Sequence, residues 1–90
     1  MNCYNYPDPF NPETNIVYYL SDAGKVTVKI FDIQGREVGT LLQDVNQQAG
    51  QHTVYWNGKD KFSREVASGM YFYQVQFKDQ YIIKKMLLIR

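Results

Sequence analysis

Cysteine, histidine and tryptophan each occur once in this chain, and that scarcity excludes a good deal. Cys3 alone cannot form an internal disulfide, and one Cys with one His cannot assemble a zinc cluster. Net charge is missing as well: ten Lys+Arg stand against nine Asp+Glu, a formal charge of +1. Bulk charge therefore points to neither nucleic acid nor an anionic membrane. No apolar run approaches the ~20 residues of a membrane-spanning helix, and no charged-then-apolar leader opens the sequence. The expectation is no metal, no cofactor, no nucleic acid and no transmembrane segment.

A catalytic set is equally thin. His52 is the only imidazole and Cys3 the only thiol. The carboxylates are scattered among turn-forming residues, and Ser21, Ser63 and Ser68 each lie beside turn formers too. General acid–base chemistry needs a positioned pair, and none is suggested here, so the chain is read as a non-enzyme. What is present is apolar and aromatic: 44% hydrophobic and 16% Phe, Trp and Tyr exclude intrinsic disorder. Ninety residues make one core, burying roughly 60–65% of the unfolded surface.

The opening, Asn5-Tyr6-Pro7-Asp8-Pro9-Phe10-Asn11-Pro12, holds every proline of the protein. Proline fixes φ and donates no backbone hydrogen bond, so neither a helix nor a central strand fits. Residues 1–14 are read as an N-terminal strap or linker, with Tyr6 and Phe10 as inward anchors. A β-sandwich domain is expected over 15–90. Asn15–Leu20 is β-branched and aromatic. Lys25–Ile30 alternates cleanly, with Val26, Val28 and Ile30 on the core face. Asp32-Ile33-Gln34-Gly35 turns the chain. From Arg36 the pattern is ambiguous, because Val38, Leu41, Leu42 and Val45 share a helical stripe while Gly39 and Thr40 oppose a helix. It is read as a strand over Glu37–Leu42 and a loop over Gln43–Gly50. Gln51–Trp56, Met70–Phe77 and Tyr81–Ile89 follow as strands, separated by Asn57-Gly58 and Lys78-Asp79-Gln80 turns. Turn signals every 8–12 residues and no helix predict a two-sheet antiparallel sandwich of about seven strands. The expected core is Val26, Val28, Ile30, Val54, Trp56, Tyr71, Tyr73, Val75, Met86 and Leu88, with two registers open to the closing strand because Ile82 and Ile83 suit either face.

The order of fragments resembles a known family over essentially the whole chain. It runs Tyr6-Pro7-Asp8-Pro9-Phe10-Asn11-Pro12, Thr14-Asn15-Ile16 to Leu20, Gly24-Lys25-Val26 to Ile30-Phe31-Asp32, and Gly35-Arg36-Glu37-Val38. Ala49-Gly50, Trp56-Asn57-Gly58, Val66-Ala67-Ser68-Gly69-Met70-Tyr71-Phe72-Tyr73 and Lys85-Met86-Leu87-Leu88 complete it. This is similar to the C-terminal sorting domain of bacterial type IX secretion substrates. It is also similar to the immunoglobulin-like domain of the flagellar hook-capping protein. Departures are Asp8 for the family's usual asparagine, Asn2-Cys3-Tyr4 for a Leu-x-Gln run, Gly39 for alanine, and Asn57 for a turn aspartate.

The resemblance implies an immunoglobulin- or fibronectin-III-like sandwich at the end of a larger exported precursor. Such a module does no chemistry and steers an upstream fused cargo through the periplasm to an outer-membrane translocon and sortase. The expected location is the cell surface or medium, and the expected state is a monomer. The rival is a structural module of an extracellular assembly, hook-capping-like or accessory to a secreted hydrolase and able to bind carbohydrate. The residues expected to dock the secretion machinery are Gly35, Arg36, Lys84, Lys85 and Arg90.

Other candidates have plainer readings beside them. Trp56, Tyr71 and Tyr73 suit a sugar platform, but strand aromatics in so small a sandwich are more often core. Tyr18, Phe31, Phe72 and Phe77 are expected outside, as a partner patch. Asn57, Asp60 and Asp79 suit calcium less well than turns, because Lys59 and Lys61 flank Asp60. Lys84, Lys85 and Arg90 either protect an edge strand or dock a partner. Cys3 is expected to be an incidental thiol in a mobile terminus, and His52 a near-surface strand residue.

Overall fold

Alternation and turn chemistry divide residues 1–90, all described by the computed structural model, into seven strands. They are β1 (Asn2–Tyr6), β2 (Thr14–Leu20), β3 (Gly24–Phe31), β4 (Glu37–Gln47), β5 (Gly50–Trp56), β6 (Gly69–Phe77) and β7 (Gln80–Leu88). Two antiparallel sheets result, ordered β1-β2-β5 and β4-β3-β6-β7. This is the all-β, immunoglobulin-like sandwich that the sequence predicts.

The inward residues of β3 lie beside those of β6: Val26 with Phe77, Val28 with Val75, Ile30 with Tyr73. Ile16, Tyr18, Leu20 and Trp56 face them from the smaller sheet, and Met86 and Leu88 close the core from β7. All the expected core residues are buried except Val54, which is partly so. The β7 register resolves to Ile82, Met86 and Leu88 inward, with Ile83, Lys85 and Leu87 outward.

Four expectations require correction. Residues 2–6 are not strap: they pair with Asn15–Tyr19 of β2, leaving Tyr6 exposed and Cys3 in the core. Phe10 alone is the inward anchor. Tyr18 is buried because Ile16, Tyr18 and Leu20 form the inward set of a strand whose apolar run hides its parity. Phe77 is buried for a simpler reason, sharing the parity of Tyr71, Tyr73 and Val75. It packs under Gly24, where a Cβ would meet its ring at 2.7 Å.

The fourth correction is β4, which continues past Leu42 to Gln47. Asp44 takes a φ of 51° and its N–H donates to Thr27 Oγ1 at 3.1 Å. The β3–β4 register shifts at several points. Each shift inverts the side-chain parity, which is how a strand acquires the helix-like spacing of Val38, Leu41, Leu42 and Val45.

Candidate partner-docking site

The Asp32–Arg36 turn is built around one carboxylate. Asp32 Oδ1 accepts from the Gln34 and Arg36 amides at 2.9 and 3.0 Å, and Oδ2 accepts from Arg36 Nε at 3.0 Å. Gly35, at a φ of 80°, supplies the left-handed residue that lets the chain close. The Arg36 amide, foremost among these donors, holds the Asp32 carboxyl below its ordinary value. The side chain of Arg36 stays 74% exposed, so the rest of its guanidinium is open to a partner.

A second turn of the same design lies at Asp60–Arg64, and sequence reasoning missed it. Asp60 Oδ1 accepts from the Phe62 and Arg64 amides, and Oδ2 accepts from Arg64 Nε at 3.2 Å. Ser63 takes the left-handed position at a φ of 62°. The signal was an Asp-x-x-x-Arg spacing repeated in Asp32–Arg36 and Asp60–Arg64, concealed by Ser63 where the first turn has glycine. The Lys61 amide donates to Val38 O at 3.0 Å, docking the two turns across a cleft of about 320 Å³. Asp60 is therefore committed to its own turn, and Asn57 likewise accepts from the Lys59 amide.

The β7 candidates separate. Lys84 points to the inner side and its ammonium reaches the Cys3 carbonyl. Lys85 points outward beside Phe72. Arg90 is a staple: its guanidinium donates to Val66 O, Gly58 O and Glu65, and its amide to Ser68 Oγ at 2.9 Å. It holds the Asn57–Ser68 loop to the chain end and lies apart from both lysines. The β7 edge is also partly occupied. The Phe10 amide donates to Leu87 O, the Ile89 amide to Phe10 O, and the Leu87 amide to Asp8 Oδ1. Ladder alternation leaves only the outward backbone groups of Tyr81, Ile83 and Lys85 free for an added strand.

Gly35 and Lys85 do meet one feature in common. On the outer face of the larger sheet, Phe31 lies beside Phe72, which lies beside Lys85. Phe31, Phe72, Ile33, Ile83 and Gly35 line a groove of about 310 Å³. Ile33 is 70% exposed and Ile83 52%, so apolar surface is left open where a monomer would ordinarily cover it. Phe31 and Phe72 thus lie on the outer face as expected, whereas Trp56, Tyr71 and Tyr73 belong to the core.

Two antiparallel sheets with open surface features define an immunoglobulin-like module. The chain belongs to the FlgD Ig-like domain family, whose model matches residues 11–80. It is similar in structure to PorZ, an essential bacterial surface component of the type IX secretion system of Porphyromonas gingivalis. That likeness has a TM-score of 0.68 and 24% identity, covering 99% of this chain and 12% of PorZ. It is also similar to dimeric latent PorU of the same organism, with a TM-score of 0.76 and 20% identity over 97% of this chain and 9% of PorU. These likenesses show the fold. The chain spans only a small part of either protein. No curated protein matches the sequence.

Proposed function

We propose that the chain is a non-catalytic C-terminal sorting module that directs a fused upstream cargo through the periplasm and outer membrane by type IX secretion. The observation that carries this reading is the open groove of Phe31, Ile33, Phe72 and Ile83. The family-like order of sequence fragments supports it, as does the type IX setting of the structural neighbour PorZ. Apolar side chains of the secretion machinery fill the groove, while Lys85, beside Phe72 on the same face, steers an acidic rim. Gly35 keeps the turn tight against the groove wall. Membership of the FlgD Ig-like family supports a second reading, a structural module of an extracellular assembly.

A fluorescent periplasmic reporter fused ahead of the domain in a secreting host tests the proposal. The wild-type fusion reaches the surface. Phe72→Glu with Ile83→Glu holds it in the periplasm, whereas Tyr4→Ala on the opposite sheet does not. Native Trp56 fluorescence in each variant verifies folding. Wild-type display by the groove variant excludes the groove as the docking site.

A further inference from the structure

β1, β2 and β5 contain no Asp, Glu, Lys or Arg. That is unusual for a solvent-facing sheet in a chain with 21% charged residues. Tyrosines take the positions where charges would stand. Tyr4, Tyr6, Tyr19 and Tyr55 are 55%, 71%, 56% and 51% exposed. Register puts them on one face: Tyr19 between Asn2 and Gln51, Tyr4 beside Val17, and Asn15 between Tyr6 and Tyr55. Strand spacing and pleat make this a tiled area of roughly 10 by 13 Å. The amides of Asn2, Asn15 and Gln51 lie exposed between the rings. A depression of about 440 Å³ runs over Asn2, Tyr4, Val17, Tyr19 and Gln51, with Lys84 at its rim. Glu13 lies beside the Tyr55 hydroxyl at the opposite margin.

We infer that this face is a binding platform for an uncharged polysaccharide. The reading is independent of the sorting proposal, whose groove lies on the other sheet. A charged ligand would lose its hydration here without meeting a compensating charge across the face. A protein interface core sets Phe, Met and Arg beside its tyrosines; none of these stands on the three strands, and the one aliphatic residue of this face, Val17, is itself buried. Phenol rings and carboxamides instead match a pyranose, whose C–H face stacks on a ring while its hydroxyls exchange hydrogen bonds with amides. A flat, open face suits an extended polymer better than a single sugar, which an enclosing pocket would hold.

Affinity electrophoresis of the full chain through gels containing hydroxyethyl cellulose, barley β-glucan, xylan, mannan or dextran tests this, with alginate as the anionic control. Retardation is expected on at least one neutral polymer and not on alginate. Tyr4→Ala, Tyr6→Ala and Tyr55→Ala should each weaken it roughly three- to tenfold. Tyr6→Phe should retain most of it, and Phe72→Ala on the other sheet should change nothing. The tyrosine variants are checked for an unchanged thermal midpoint, since all three rings are exposed. No retardation on any neutral polymer overturns the inference. So does retention that survives the combined alanine variant, binding to alginate alone, or tyrosine-dependent self-association by sedimentation velocity without neutral-polymer binding.

Discussion

Phe10 rests against Trp56 with ring centroids 5.7 Å apart, while its backbone N–H and C=O bond to Leu87 and Ile89 of the closing segment. One strap residue thus joins the core to the edge of the larger sheet. Trp56 in turn meets Tyr71 edge-on at 5.5 Å, and its indole N–H donates to Lys59 O. Removing the Phe10 ring opens a cavity at this junction and frees the edge. Phe10→Ala should lower stability by about 3–5 kcal/mol in urea unfolding. The amide of Ile89, which donates to Phe10 O, should gain exchange rate more than amides in β2.

Gly24 and Gly35 are both required, for different reasons. A Cβ at Gly24 would stand 2.7 Å from the Phe77 ring, so Gly24→Ala must displace a packed aromatic. Gly35 has open space around it, but its φ of 80° penalises any side chain. Thermal melts should show about 1–3 kcal/mol lost for Gly24→Ala and about 1–2 kcal/mol for Gly35→Ala. In Gly24→Ala the Phe77 ring resonances should shift, and in Gly35→Ala they should not.

The twin turns make stability depend on acid. Amide and guanidinium donors lower the folded-state values of Asp32 and Asp60 below the ordinary 3.8. A lowered carboxyl contributes stability that is complete above its unfolded value and lost as pH falls through the folded one. The melting temperature should therefore fall below about pH 4. Asp32→Asn with Asp60→Asn should flatten that decline, because an amide oxygen still caps the turn without titrating.

Cys3 should be chemically quiet. The residue is 3% exposed, and burial pushes the pKa of its thiol up, against a smaller opposing influence from Lys84. Native protein at pH 8 should react with a thiol-specific disulfide reagent at least about a hundredfold more slowly than urea-unfolded protein. Comparable rates would mean that β1 detaches readily from β2.

The strands with strict alternation were readable at once. Lys25–Ile30 and Tyr71–Val75 each place one apolar set inward, and the structure follows them; Phe77, expected outside, shares the parity of that set and is buried. Parity failed where every position was apolar, as in Ile16–Leu20, and where bulges reset it, as around Asp44. Cys3 was misplaced in a mobile terminus because a short strand beside a proline segment reads as a tail. The groove was half legible: Phe31 and Phe72 have the outward parity, but Ile33 and Ile83 reach it only through the fold. The tyrosine face was hidden more deeply, since its rings come from three strands separated in sequence. Arg90 looked like a free cation until the loop it staples was placed around it.

The most direct measurement is protease accessibility of a reporter fused ahead of these ninety residues, compared between a type IX-proficient host and the same host lacking the outer-membrane translocon. The account predicts cleavage on intact proficient cells and protection, with periplasmic accumulation, in the deficient strain. A reporter that stays periplasmic in both hosts, while the domain is folded by its Trp56 emission, would contradict the sorting function.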